Sequence, residues 1–231
     1  MMPRGWLCLA MALCAAPAFS QSETSSAGPH RMEIKLQRMD GDTWKSVDPG
    51  LVFAQNDRVR FRFQTNFDGY LYVMNRSTSG KYEQLFPREE TGQNNRIVAG
   101  NDYTVPATKT LFRIGGPAGQ EIIYWMVTPV ALSGNGTEAY TPLPPPPAPD
   151  KHLPKNMTPR CDDTIFRARG ECVDASAGPQ GIASGETLPS NVAGAAKPRD
   201  LIFMRQQNTS VVASAVPLSG PVIYEFRLAH K

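Results

Sequence analysis

The amino-acid sequence predicts an all-β protein, and three observations carry that prediction. Short apolar segments alternate with period two, glycine- and proline-rich turn signals separate them, and no apolar stripe at helical spacing lasts long enough for a substantial helix. The first segment, residues 31–38, alternates imperfectly through Met32, Ile34, Lys35 and Leu36. Residues 58–63 are cleaner, with Val59, Phe61 and Phe63 on one side and Arg58, Arg60 and Arg62 on the other. Asp68-Gly69 then reads as a turn that uses the positive φ open to glycine, and residues 70–75 return as an aromatic and β-branched strand expected to pair with its predecessor.

Ser79-Gly80 marks the next turn, and Pro87 ends the strand at 82–86 because proline cannot donate to a sheet ladder. Strands follow at 103–105, 110–114 and 121–128, the last two separated by Gly115-Gly116-Pro117-Ala118-Gly119 as a hairpin connection would be. Residues 122–127 are apolar at almost every position, which predicts a central strand covered on both faces and places Tyr124 and Trp125 in the core. The strand pattern resumes at 201–204, 210–215 and 222–228.

The intervening stretch changes character. Residues 141–159 contain eight prolines, Pro144 to Pro147 in succession, a composition that favours an extended chain and supports no helix or central strand. Residues 175–198 are rich in Gly, Ala, Ser and Pro. The division expected is therefore a leader at 1–20, a flexible N-terminus at 21–30, the first part of a sandwich at 31–132, a surface excursion at 133–198, and closing strands at 199–231. Seven to nine short strands with such turns suggest a two-sheet sandwich of immunoglobulin-like type, with a small barrel as the alternative.

Arg4 precedes an apolar run at 6–16 that is too short for a membrane anchor, and Ala18-Phe19-Ser20 supplies the small residues of a cleavage site. A signal peptide cleaved before Gln21 and a periplasmic or secreted location are the expectation. Of 24 basic and 21 acidic residues, cleavage removes only Arg4, so the balance is 23 against 21. That near-neutrality gives none of the basic footprint of a nucleic-acid binder. The longest later apolar run, 122–132, is broken by Thr128 and Pro129 and predicts no membrane span. Cleavage also leaves Cys161 and Cys172, which in an oxidising compartment are expected to form a disulfide across a short loop.

A family resemblance rests on the succession Val52-Phe53, Asn56-Asp57-Arg58-Val59-Arg60-Phe61, Asn66-Phe67-Asp68-Gly69-Tyr70-Leu71-Tyr72-Val73, Gly80, Leu85-Phe86-Pro87, Tyr103-Thr104-Val105-Pro106 and Gly119-Gln120-Glu121. In order and spacing it resembles the bacterial family called Domain of Unknown Function 4384, over roughly residues 45–130. The resemblance implies an extracytoplasmic β-sandwich module of the kind appended to enzymes or envelope proteins. It brings no activity and no catalytic residues with it.

Chemistry-bearing motifs are sparse. There is no Gly-x-Ser-x-Gly elbow, no phosphate-binding glycine loop opening a helix, and no histidine pair at metal-ligand spacing, so no catalytic, cofactor or metal residue is assigned. His30, His152 and His230 are expected to be solvent-exposed, and Asp162, Asp163, Glu171 and Asp174 to be solvated or paired with Arg160, Arg167 and Arg169. The expected function is a non-catalytic module that binds a protein or an envelope polymer; a hydrolase with a dispersed acidic pair and a purely structural envelope component are the alternatives. Candidate contact residues are Ile165 and Phe166 in the excursion, which can anchor a partner, and the row Arg58, Arg60 and Arg62, which suits anionic groups. A solvated sheet face explains the same row without a ligand.

Overall fold

A computed structural model of the chain describes residues 29–89, 94–106, 111–130, 132, 143–149, 158–162, 164–168, 170–182, 188–194 and 200–231. The expected leader and residues 21–28 lie outside them. The strands are β1 (Arg31–Asp40), β2 (Thr43–Ser46), β3 (Arg58–Thr65), β4 (Gly69–Arg76), β5 (Tyr82–Phe86), β6 (Arg96–Ile97) and β7 (Tyr103–Val105). They continue with β8 (Phe112–Arg113), β9 (Gly119–Thr128), β10 (Gly178–Gln180), β11 (Leu201–Gln206), β12 (Thr209–Ser214) and β13 (Val222–His230). Two short helices, α1 (Thr164–Ala168) and α2 (Ser190–Ala193), complete the described elements. No described helix is long and apolar enough to cross a membrane.

Two antiparallel sheets form a sandwich. A seven-stranded sheet runs β11-β12-β1-β3-β7, with β2 on β1 and β8 on β3; a six-stranded sheet runs β10-β13-β9-β4-β5, with β6 on β4. The period-two pattern sorts side chains between the faces. Leu36 stands opposite Phe61 and Ile34 opposite Phe63, so β1 and β3 turn one continuous apolar surface inward. From the other sheet, Leu71, Val73, Ile123, Trp125, Tyr224 and Phe226 meet it. Trp125 is fully buried between them, edge-on to Phe61 at 5.5 Å and tilted over Phe63 at 5.2 Å between ring centroids. Truncating such a residue typically costs about 3–5 kcal/mol.

Both expected hairpins at 68–69 and 115–119 are corrected. β3 and β4 belong to different sheets, as do β8 and β9, so each glycine-bearing turn carries the chain across the sandwich. The alternation in these strands reports which face is buried and is silent on which neighbour supplies the ladder. The role read for Gly69 changes with it. Gly69 is not among the glycines of positive φ; a Cβ there would stand 2.4 Å from the Thr128 carbonyl oxygen. The glycine lets β4 approach β9 closely at the end of their ladder.

Two of the three histidines are buried, against expectation, while His152 lies outside the described residues. His30 stacks on Phe67 at 4.2 Å, and its Nδ1 accepts the Leu218 amide at 2.9 Å. Burial pushes its pKa down. His230 closes β13 opposite Gly119, and its Nε2 lies 3.5 Å from Glu121 Oε1 at one end of the interior. Its backbone lies between Gly119 of β9 and a bridge to Phe53, which buries it.

Candidate functional site

The outward positions of the six-stranded sheet form an unusual surface. On β4 they are Tyr72 and Met74; on β9, Ile122, Tyr124 and Met126; on β13, Ile223. The register sets Tyr72 opposite Met126 and Met74 opposite Tyr124, so tyrosine and methionine alternate across the β4–β9 pair. All six side chains are buried although they point away from the sandwich interior. This is the strand predicted from its apolar run to be covered on both faces, and β9 is buried along its whole length.

The cover comes from within 133–198. Val192 of α2 is buried against this face, and Leu143, Ile182 and Leu188 pack partly on it. Farther along the face, Glu225 is buried and takes Arg227 Nε at 2.6 Å. β10 joins the sheet edge by pairing with β13. Under the roof remains a recess of about 10 Å³, lined by Tyr72, Met74, Gln84, Tyr124, Leu143 and Asn191 among others, which is room for about one water. Asn191 Nδ2 donates to the Pro144 carbonyl at 3.4 Å and lies 3.5 Å from Met74 Sδ, while its Oδ1 is buried without a partner. A tyrosine–methionine surface is adaptable apolar material, and an orphaned amide oxygen beside it is an acceptor awaiting a donor.

Cys161 and Cys172 are bonded, with their Cα atoms 4.9 Å apart. The base of their loop is stitched to the sandwich: the Val52 amide donates to the Cys172 carbonyl at 2.7 Å, and Leu51 bridges Val173. Next to it Asp174 is fully buried, so the expectation that this acid is solvated or ion-paired is corrected. Its carboxylate accepts Ser176 Oγ at 2.6 Å, the Ser176 amide at 2.8 Å, the Arg160 amide at 3.0 Å and Gln120 Nε2 at 3.2 Å. Burial acts to raise its pKa, but the donors from Ser176, Arg160 and Gln120 outweigh it and hold the carboxyl below its ordinary value. Ile165 sits on α1 at the tip of the loop, 63 % exposed. Phe166 is in the same helix, with its side chain outside the described part of the structure, as is Asp163.

Arg58, Arg60 and Arg62 line the outward face of β3, each with an intramolecular partner. Arg62 Nη2 pairs with Asp102 at 3.0 Å and its Nη1 donates to Thr104 at 3.0 Å. Arg60 Nε donates to Gln37 at 2.8 Å and the guanidinium lies 4.2 Å over the Trp44 ring. Burial and then the charge of Arg62 push the Arg60 pKa down. Arg58 Nη1 lies 3.6 Å from Met39 Sδ. The structure thus keeps the arginine row and the tyrosine–methionine face on different sheets.

Residues 52–130 match the family described as Domain of unknown function (DUF4384). That stretch is a DUF4384 domain. No curated protein and no solved structure matches it. The DUF4384 stretch supplies β3 to β9, including Tyr72, Met74, Tyr124 and Met126. The roof over those residues, from Leu143 to α2, lies beyond the DUF4384 stretch, as do the strands β11 to β13 that complete both sheets. The side chains that roof the face could not be found from periodicity, because a proline-rich composition masks Leu143, and Asn191 belongs to a four-residue helix.

Proposed function

We propose that this protein is an extracytoplasmic, non-catalytic β-sandwich module, periplasmic or secreted, that binds a protein partner through the outer face of its six-stranded sheet. The observation that carries the reading is the Tyr72–Met126 and Met74–Tyr124 surface, covered by short roof segments and bordered by an Asn191 oxygen that has no partner among the described residues. A sheet face destined for solvent carries polar side chains outward, as β3 does, whereas β4 and β9 carry tyrosine, methionine and isoleucine outward. The leader-like residues 1–20 and the Cys161–Cys172 disulfide support an oxidising compartment. The non-catalytic part of the reading draws support from His230 and Glu121, a facing pair of acid–base groups that is shut inside the sandwich.

Site-specific photo-crosslinking in the native envelope tests the proposal. A photoreactive residue at Gln84, which lines the recess, is expected to yield a discrete protein adduct, whereas one at Arg60 is expected to yield none. Adducts only from position 60 or 165, or none from 84, would move the site elsewhere. The mass of the exported protein checks the compartment, with a chain beginning at Gln21 as the expected species.

A further inference from the structure

We infer that the roofed recess is a seat for an extended peptide with a leucine-sized anchor followed by a residue that bears a backbone N–H, and that Leu143-Pro144 is a built-in, incomplete occupant. The inference rests on the binding-module reading above and specifies its ligand. Leu143 packs its side chain onto the tyrosine–methionine face. The residue after it presents its carbonyl to Asn191 Nδ2 at 3.4 Å. A primary amide carries a donor and an acceptor side by side, matching the C=O and N–H that one extended residue presents along the same edge. Position 144 is proline and has no N–H, so Asn191 Oδ1 goes unmet although the residue is only 7 % exposed.

The strap therefore fills the apolar seat and half of the polar one. It stays seated because it is tethered, which gives it a high effective concentration. A peptide from a partner that keeps the leucine and replaces the following proline satisfies both atoms of Asn191. Such a ligand displaces the strap, which then acts as an autoinhibitory plug.

Two heptapeptides serve as probes: acetyl-Leu-Val-Pro-Pro-Pro-Ala-Pro-amide, and the strap's own sequence with proline second. Each is titrated calorimetrically into the full chain and into Leu143→Ala, whose plug has lost its anchor. The valine peptide is expected to bind Leu143→Ala about tenfold tighter than the proline peptide does, and about tenfold tighter than it binds the unaltered chain. Asn191→Leu added to Leu143→Ala is expected to erase the preference between peptides. Equal binding of the two peptides to Leu143→Ala, or equal binding of the valine peptide to both chains, overturns the inference. Should Leu143→Ala fail to fold, Pro144→Val takes its place: it supplies the missing N–H in cis and is expected to slow amide hydrogen exchange in α2, and unchanged exchange overturns the inference. A crosslink from position 84 without any peptide preference would leave the binding module standing and sink the ligand class alone.

Discussion

On the seven-stranded sheet the outward residues of β3 include Arg58, Arg60 and Arg62; on the six-stranded sheet those of β9 include Ile122, Tyr124 and Met126. Both faces point away from the same core, yet the first is partly exposed and polar while the second is buried. The difference lies in what the chain lays over each. The arginine row is met by single side chains such as Trp44, Gln37 and Asp102. Over the other face the chain places Leu143, Leu188 and Val192, so the proline- and glycine-rich stretch acts as a third layer. A segment that looks like a loop by composition thus does the work of a core element.

Removing that layer is the harshest way to break the comparison. Replacing residues 142–198 by a short Gly-Ser bridge exposes Tyr72, Met74, Tyr124 and Met126 together and strips β10 from the sheet edge. The expected product aggregates, because a contiguous apolar face is left in water. Size-exclusion chromatography and a thermal melt report it, and a monomer melting like the parent would show that the layer is dispensable.

Asp174 gives the next effect. Its four donors make Asp174→Asn leave hydrogen atoms facing hydrogen atoms, at a cost of about 2–3 kcal/mol, measured by denaturant unfolding. The pH dependence has a definite sign. Because the folded carboxyl titrates below its ordinary value, its stabilisation is complete above the unfolded pKa and fades as pH falls through the lowered folded value. The gap between parent and variant is therefore expected to narrow only at strongly acid pH, and a gap that narrows near neutrality would mean another group carries it.

How much of this was legible depends on which physics left a trace in the residue order. The alternation of β3 and the unbroken apolar run of β9 gave their burial correctly, because side-chain direction follows the backbone period. Pairing partners left no such trace, so the turns before β4 and β9 looked like hairpins when they cross between sheets. Asp174 and His230 looked like surface residues because their burial is decided by distant segments, Gln120 and Arg160 for one and Phe53 and Glu121 for the other. At the candidate site, the covered face was readable in β9. Its roof was not, since it depends on single residues set in a composition that otherwise signals exposure.

The disulfide closes the loop that precedes β10. Cys161→Ser is expected to keep the sheet signal in circular dichroism and to lose roughly 1–3 kcal/mol, up to the chain-entropy value for so short a loop. The base of the loop stays held by the Asp162 amide on the Val173 carbonyl at 2.9 Å and by the Val52 amide on Cys172. Global unfolding of this variant would make the loop a keystone of the third layer.

The smallest expected effect comes from the uncovered face. Arg60→Ala removes a guanidinium stacked over Trp44 and bonded to Gln37, contacts made at the rim of water. A cation–π contact at such a site contributes about 0.5–1 kcal/mol, and an exposed polar pair adds little to it. The substitution also removes a charge that burial and Arg62 already disfavour, which offsets part of the loss. The net change in unfolding free energy is therefore expected to stay below about 1 kcal/mol. Tyr124→Ala, an outward truncation on the opposite sheet, is expected to cost about 3 kcal/mol or more because it opens a cavity beneath the roof. Measured side by side in one denaturant series, the two substitutions test whether the faces differ as their burial says; equal losses would erase the distinction between a solvated face and a covered one.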